Sequence, residues 1–377
     1  MISKKIVITG ITGQDGSLMA DYLLENIDAV IYGVIRQLST PNHVNIEHLK
    51  QNPRVHLIEG DITCPHSMSG IVRSIQPDYF INFAANSFVG TSWKNPTQVI
   101  DSNTLSVMHQ LEAIRKECPT TRYYQAGSSE EFGDIIYSPQ DENHPLRPRS
   151  PYGASKAAAR HLVKVYRDSY KLYAVAGWLF NHEGVRRGKQ FVTRKITSGI
   201  AKIARNIQLY KEGVEGISPR QLWFPPIELG NLMAKRDWSD AEDFVDGVWR
   251  MLNQDTYNPN FTSVNDYVLA SGETHTIAEF VERALTHAGI PFILLSSSPL
   301  NAGAVEWDHS KGSYCYVTEG GHFLPLVVVN EEFYRPAEVE ILLGDPTKAR
   351  QELGWKPRTS FDGLVQKMVA HDLVNNE

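Results

Sequence analysis

The stretch IVITGITGQDGSLMADYLLEN, residues 6–26, decides the fold. Ile6 to Thr9 is a short run rich in β-branched residues that stops at Gly10, and Leu18, Met19, Tyr22, Leu23 and Leu24 then recur at helical spacing. The order is therefore strand, glycine-rich turn, helix. Gly10, Gly13 and Gly16 form a GxxGxxG variant of the dinucleotide fingerprint. Glycine permits the tight turn and the close approach of a pyrophosphate, whose charge sits at the helix N-terminus. Outward from this unit, strands are predicted at Val30 to Val34, Val55 to Glu59, Tyr79 to Phe83, Arg122 to Gln125 and Tyr173 to Leu179. Helical segments separate them, among them a long amphipathic one from Pro96 to Glu117. Such alternation marks a parallel sheet with right-handed crossovers.

The expected architecture is α/β: a Rossmann-type doubly wound parallel sheet with a smaller, mostly α C-terminal substrate domain. Residues 1–182, with a returning segment at about 235–270, should form the dinucleotide domain; 183–234 and 271–377 should form the second. Within the first, Thr12, Gln14 and Asp15 lie among the glycines. No Asp or Glu stands at the end of the second strand to hold a ribose 2′-hydroxyl. Arg36 stands there instead, where a 2′-phosphate wants a cation, so NADP is favoured over NAD, with a solvated surface arginine as the plain alternative. Asp61 and Ile62 follow the third strand and suit an adenine edge, unless Asp61 caps the next helix. Phe83, Ala84, Ala85 and Ser87 follow the fourth strand, where small residues let a cofactor approach.

The reactive groups are expected between Tyr123 and Lys156. YYQAGSSEEFG ends a strand with Ser128, Ser129 and Glu130, and SPYGASK opens a helix. Ligands of open α/β sheets bind beyond the carboxyl ends of the strands. Tyr152 and Lys156 are four apart and share one helix face. An ammonium near a phenol favours phenolate, which makes tyrosine a base near neutral pH. Glu130 adds a carboxylate, with a helix-start charge as its plain alternative.

Composition narrows the classes. The chain has 377 residues, a formal net charge of −6 and three cysteines, Cys64, Cys118 and Cys315, far apart and without a CxxC pair. Neither nucleic acid nor membrane is globally attracted, no apolar run reaches a membrane span, and a cytoplasmic setting without disulfide or metal framework is expected. Five of the ten residues from Arg186 to Lys195 are basic, a loop that suits a diphosphate or is simply solvated. His182 has no acidic or cysteine neighbour at metal spacing. Residues 207–229 are irregular, Ile277 to His287 is an amphipathic helix, Pro291 to Asn330 is loop-rich with short strands, and a capped helix starts near Asp345.

The glycine motif, the Ser/Glu pair and YxxxK together resemble the extended short-chain dehydrogenase/reductase family. The blocks ITGITGQDGS, SPYGASK, FNHEGVRRGKQFVTRKI, LGNLMAKRDW and YRPAEVEILLGDPTKAR are similar, along nearly the whole chain, to its GDP-mannose 4,6-dehydratase branch. The resemblance implies an NADP-dependent hydro-lyase of deoxysugar biosynthesis acting on GDP-mannose or a related GDP-sugar, and a homodimer or homotetramer. It implies that Tyr152 is the base for the sugar 4-hydroxyl and Lys156 its partner and ribose ligand. Glu130 would take the C5 proton, and Ser128 would stand where relatives usually have threonine. By the same resemblance Gly10 to Gly16, Arg36, Asp61, Ile62, the Phe83 to Ser87 segment, His182 and Arg187 match cofactor positions. Ser87, Ser128, Glu130, Asn181, Val192, Lys195, Gly230, Arg236, Arg335 and Glu338 match nucleotide-sugar positions. SDAEDF after RDW, and the long segment before LGN, depart from the usual wording of the branch and leave room for a related GDP-sugar such as a manno-heptose. An epimerase or reductase of the same fold would need Tyr152 and Lys156 but no carboxylate at C5.

Overall fold

The computed structural model describes residues 3–40, 42–212, 222–295, 313–318, 321–334 and 341–375. The first six strands and the helices between them come in the expected order: β1 (Lys4–Thr9), α1 (Gln14–Asn26), β2 (Ala29–Ile35), β3 (Val55–Glu59), α2 (Pro65–Ile75), β4 (Tyr79–Asn82), α3 (Ser106–Glu117), β5 (Arg122–Ala126), α4 (Pro151–Tyr170) and β6 (Ala174–Leu179). With a returning strand, Tyr267–Leu269, they make one sheet ordered Tyr267–Leu269, β6, β5, β4, β1, β2, β3. Every pairing is parallel. The strand order reverses between β1 and β4, and ligands of such sheets bind at that point, beyond the carboxyl ends.

Two hydrophobic layers cover the sheet, as a parallel sheet requires. On one face Ile6, Ile8 and Ile31 pack with Leu18, Met19 and Leu23 of α1 and with Phe244, Val248 and Leu252 of the helix Ala241–Leu252. On the other, Val7, Phe80 and Tyr123 pack with residues of α2, α3 and α4. The alternation of Ile6, Val7 and Ile8 between these layers is the period-two signature of a strand buried on both sides.

The chain divides into two compact units: residues 1–182, 237–273 and 342–358, and residues 183–236, 274–341 and 359–377. Two details differ from the sequence reading. Residues 342–358, expected in the second domain, belong to the first unit. Gly344 N donates to the buried Asp237 carboxylate, and Trp355, 1% exposed, fills a gap beside Phe244 and donates its Nε1 to Asp243 O at 2.8 Å. The amphipathic segment Pro96 to Glu117 is not one regular helix, because Asp101–Leu105 is wound as a π-helix between Pro96–Ile100 and α3.

The second unit carries the helices Val192–Lys211, Ile277–His287 and Phe361–Asn375. A four-stranded sheet is ordered Ile293–Leu295, Ser313–Val317, Phe323–Val329, Ile227–Leu229, so the loop-rich stretch does contain paired strands. Arg194 and Thr197 hold the buried Asp372, which pins the C-terminal helix. No helix among the described residues is long and apolar enough to cross a membrane.

If Trp355 closes the first unit's core, Trp355→Ala should cost about 3–5 kcal/mol of stability. Urea unfolding measures this; an unchanged midpoint would mean that residues 342–358 are an appendage.

Candidate active site

The turn after β1 is shaped for close approach. Gly10 has φ +73°, and a Cβ there would lie 2.7 Å from Ala84 N. A Cβ on Gly16 would lie 2.3 Å from Gly10 O. Thus β1, the start of α1 and the segment after β4 touch at backbone distance. No side chain caps α1 at Gly13, and a helix's first N–H groups have no intrahelical acceptor, a fit for a diphosphate. Asn45 Nδ2 donates to Thr12 O at 3.1 Å and braces the loop from outside. Asp15 meets His182 Nε2 at 3.0 Å; His182 Nδ1 lies 2.8 Å from Phe180 O, and its ring stacks on Phe244. Gln14 Nε2 donates to His182 O.

Arg36, exposed, follows β2. Asp61 is not the cap of α2. Its carboxylate accepts from Thr63 N and Thr63 Oγ1, which, with Arg36 nearby, hold it below the usual carboxylate range, while Cys64 precedes the helix. Ile62 is half-buried, as are Phe83, Ala84 and Ala85, and Ser87 is exposed.

At the end of β5 the chain turns at Ser128 into a short 3-10 turn, Ser129–Glu131. Ser128 Oγ accepts from Glu130 N at 3.2 Å, and Glu131 Oε1 accepts from Ser128 N at 2.8 Å, a reciprocal capping box. Glu131 is fully buried and receives Arg160 Nε at 2.5 Å. Glu130 is only half-buried. The two neighbouring glutamates therefore have different work: Glu131 builds the turn, and Glu130, half-buried, stands where the turn packs on the helix start.

Helix α4 starts beside them. Ser150 Oγ caps it by accepting from Gly153 N, and Pro151 occupies its first turn. A Cβ on Gly153 would lie 2.5 Å from Glu130 O, so the helix start packs directly on the turn. Tyr152 is 8% exposed and Lys156 3% exposed; Lys156 Nζ donates to Ala126 O at 2.8 Å and lies 5.9 Å from the Tyr152 ring centre. Burial lowers the Lys156 pKa from 10.5 to about 8, against the opposing pull of Glu131 and Asp15. Ser128, Glu130, Tyr152 and Lys156 thus gather at the carboxyl end of β5.

Asn103 was not singled out from the sequence. It lies in the π-helical segment, where its side chain accepts from Asn86 N and donates to Asn86 O and Ser155 Oγ, while Thr104 Oγ1 donates to Ser155 O. It ties the segment after β4 to the Tyr152 helix. The signal was the polar triplet Ser102, Asn103, Thr104 within an otherwise amphipathic helix; π-turns recur at functional sites.

The remaining positions lie apart from this group in sequence. Asn181 carries a buried amide oxygen without a hydrogen-bond partner among the described residues. In the second unit, Arg187 Nε lies 3.0 Å from the buried Glu183, and its guanidinium covers the Phe191 ring, so it is engaged within its own loop. Val192 opens the helix Val192–Lys211, and Lys195 Nζ lies 3.7 Å over the Phe333 ring. A Cβ on Gly230 would lie 2.8 Å from Phe333 O, and Arg236 is buried with Nη1 donating to Lys235 O. Arg335 and Glu338 lie outside the described residues.

The fold and the Tyr/Lys pair define the class: a doubly wound dinucleotide-type domain with a phenol and ammonium at the end of β5. A family model described as GDP-mannose 4,6 dehydratase matches residues 7–368. Similar proteins with that name include one from Homo sapiens, 39% identical over 376 residues and covering 97% of this chain and 91% of its own. Another, from Yersinia enterocolitica, is 39% identical and covers 98% and 94%. The chain belongs to the GDP-mannose 4,6-dehydratase family. Solved structures of the same fold include a dTDP-glucose 4,6-dehydratase from Streptomyces venezuelae with NAD and TYD bound, at TM-score 0.74 and 19% identity, covering 98% of this chain and 97% of that one. RMD from Pseudomonas aeruginosa, complexed with NADPH, has TM-score 0.68 at 20% identity and covers 99% of each chain.

The division between the glutamates is testable by stability alone. Glu131→Gln removes the charge paired with the buried Arg160 guanidinium and should cost about 3 kcal/mol, whereas Glu130→Gln, outside that pair, should cost about 1 kcal/mol or less. Paired thermal melts check it, and equal losses would overturn the division.

Proposed function

We propose that the protein is an NADP-dependent GDP-mannose 4,6-dehydratase, converting GDP-mannose to GDP-4-keto-6-deoxymannose with loss of water. The observation that carries this reading is the packing of the Glu130 turn directly on the start of the helix that bears Tyr152 and Lys156, in a chain of this family. The cofactor fit rests on the Gly10 and Gly16 approach and the uncapped start of α1. Arg36 without a carboxylate at the end of β2, and Asp61 engaged by Thr63, support NADP over NAD.

Bound there, the nicotinamide would accept hydride from C4 of the sugar and return it at C6. The residues supply the proton transfers. Tyr152 as phenolate takes the 4-hydroxyl proton, and the Lys156 ammonium stabilises that phenolate. The resulting ketone acidifies the C5 hydrogen, which is what lets a carboxylate such as Glu130 remove it. Elimination of the C6 hydroxyl as water takes a proton, for which the protonated Glu130 and the Ser128 hydroxyl are the candidate donors, and C5 regains a solvent-derived proton through Glu130 as hydride returns at C6. His182 and Asp15 brace the glycine turn. Asn103 holds the Tyr152 helix in register with the segment after β4. Lys195, Arg236 and Asn181 are the candidate ligands of the nucleotide sugar, with Arg335 and Glu338 further candidates from sequence.

We also read the protein as a cytoplasmic homo-oligomer. The exposed apolar side chains Ile100, Leu105, Val165 and Tyr170 on helices of the first unit support self-association, and three free cysteines fit a reducing compartment.

Incubation of the purified protein with GDP-mannose and mass analysis of the product should show loss of one water. An unchanged mass with altered stereochemistry would make it an epimerase. Tyr152→Phe should lower turnover by about 10²–10⁴-fold. Glu130→Gln should abolish incorporation of solvent deuterium at C5; retained incorporation would remove Glu130 from its role. Lys156 fixes the alkaline limb. Below pH about 8 it is charged and supports the phenolate, and as pH rises through about 8 that charge is lost, so turnover should fall. A profile flat to pH 10 would contradict the assignment.

A further inference from the structure

We propose that Glu228 selects the base of the nucleotide, its carboxylate accepting the two adjacent N–H donors, N1–H and N2–H₂, on the edge of guanine. The inference rests on the GDP-sugar reading and names the residue that reads its base.

A cavity of about 470 Å³ lies within the second unit, between the helix Val192–Lys211 and the segment Phe224 to Glu228. Gly199 sets its floor: a Cβ there would lie 2.7 Å from the Ile227 side chain, so helix and strand meet closely at that level. Beyond the contact the walls are Ile203, the buried Phe224 and the rigid Pro225 and Pro226, apolar surfaces suited to a planar ring. Lys195, Lys202 and Asn206 stand on the lining face of the helix at helical spacing.

Among the described residues, Glu228 supplies the single carboxylate of the lining. It alternates with the buried Ile227 and Leu229 in the strand Ile227–Leu229, so it is turned out of the core and the strand does not need it for packing. Asn330 Nδ2 donates to Glu228 Oε2 at 3.3 Å. Asn330 is itself fixed, since its N donates to Leu229 O and its side-chain oxygen accepts from Glu332 N. The carboxylate is thereby oriented. An ionised carboxylate offers about four acceptor sites, so the bond from Asn330 leaves capacity for two more. Lys195 is attracted to Glu228 yet has its pKa lowered, mainly by burial.

The donor and acceptor set matches guanine. Its Watson–Crick edge presents two neighbouring donors to two carboxylate oxygens, while its O6 and N7 are acceptors that an ammonium or amide such as Lys202 or Asn206 can meet. Adenine presents a ring acceptor where guanine has N1–H. Hypoxanthine keeps N1–H but lacks the N2 amino group, so it isolates one of the two contacts.

The test compares GDP with inosine diphosphate by calorimetry on the parent, Glu228→Ala and Glu228→Gln, with melting curves confirming that each folds. The parent should bind inosine diphosphate about tenfold more weakly than GDP, the ratio for loss of one hydrogen bond of about 1.4 kcal/mol. Glu228→Ala should bind both alike and more weakly than the parent binds GDP, and Glu228→Gln should fall between. A variant that keeps the parent's preference, or a parent that binds the two nucleotides equally or binds neither, overturns the proposal. Discrimination through Glu228 in a protein that leaves GDP-mannose unchanged would sink the dehydratase reading alone.

Discussion

The Arg160 guanidinium is the constraint on which the reactive end of the sheet depends. It is 4% exposed, donates to Glu131, to Ala176 O and to Gly177 O, and stacks 3.4 Å from the Trp178 ring centre. One side chain on α4 thus joins the turn after β5 to the backbone of β6. A buried ion pair is costly to desolvate and holds only when its other donors and acceptors are satisfied. Here they are: Glu131 also receives Ser128 N, and Asp266 lies 3.5 Å from the same guanidinium. The pair's value is geometric, because it fixes where Ser128 and Glu130 leave the strand relative to Tyr152.

Lys156 illustrates the same trade at smaller cost. Its ammonium is buried and has a backbone carbonyl as its hydrogen-bond acceptor, so desolvation outweighs the attraction of Glu131 and Asp15. A lysine in water would be charged over the whole working range and only weakly responsive to its surroundings. Buried, it can switch near neutral pH, where a neighbouring phenol must be able to gain and lose its proton.

Around this pair the supports are polar and buried. Thr9, Asn82 and Gln125 lie side by side across β1, β4 and β5 and hydrogen-bond in sequence, and Tyr123 adds its hydroxyl to Gln125. Such networks are favourable only when every member finds a partner, and they fix one arrangement of the strand ends. Asn103 does the same for the helix side, and its reach depends on the π-turn that rotates it toward Asn86 and Ser155.

Local chemistry made much of this legible in the sequence. β-Branched runs, the glycine spacing at Gly10, Gly13 and Gly16 and the four-residue interval from Tyr152 to Lys156 are short-range features, and a strand, a turn and a helix face follow from them without knowledge of distant partners. The parallel order of the strands followed from their alternation with helices. What the sequence could not decide is which distant group each residue meets. Glu130 and Glu131 are adjacent and chemically alike, and only Arg160, twenty-nine residues away, separates the structural carboxylate from the one beside Tyr152. Asn103 reads as one polar residue of a helix until its partners Asn86 and Ser155 arrive from other elements. Residues 342–358 return to the first unit because Trp355 and the Asp237 carboxylate find partners there, contacts across more than a hundred residues that no local period encodes.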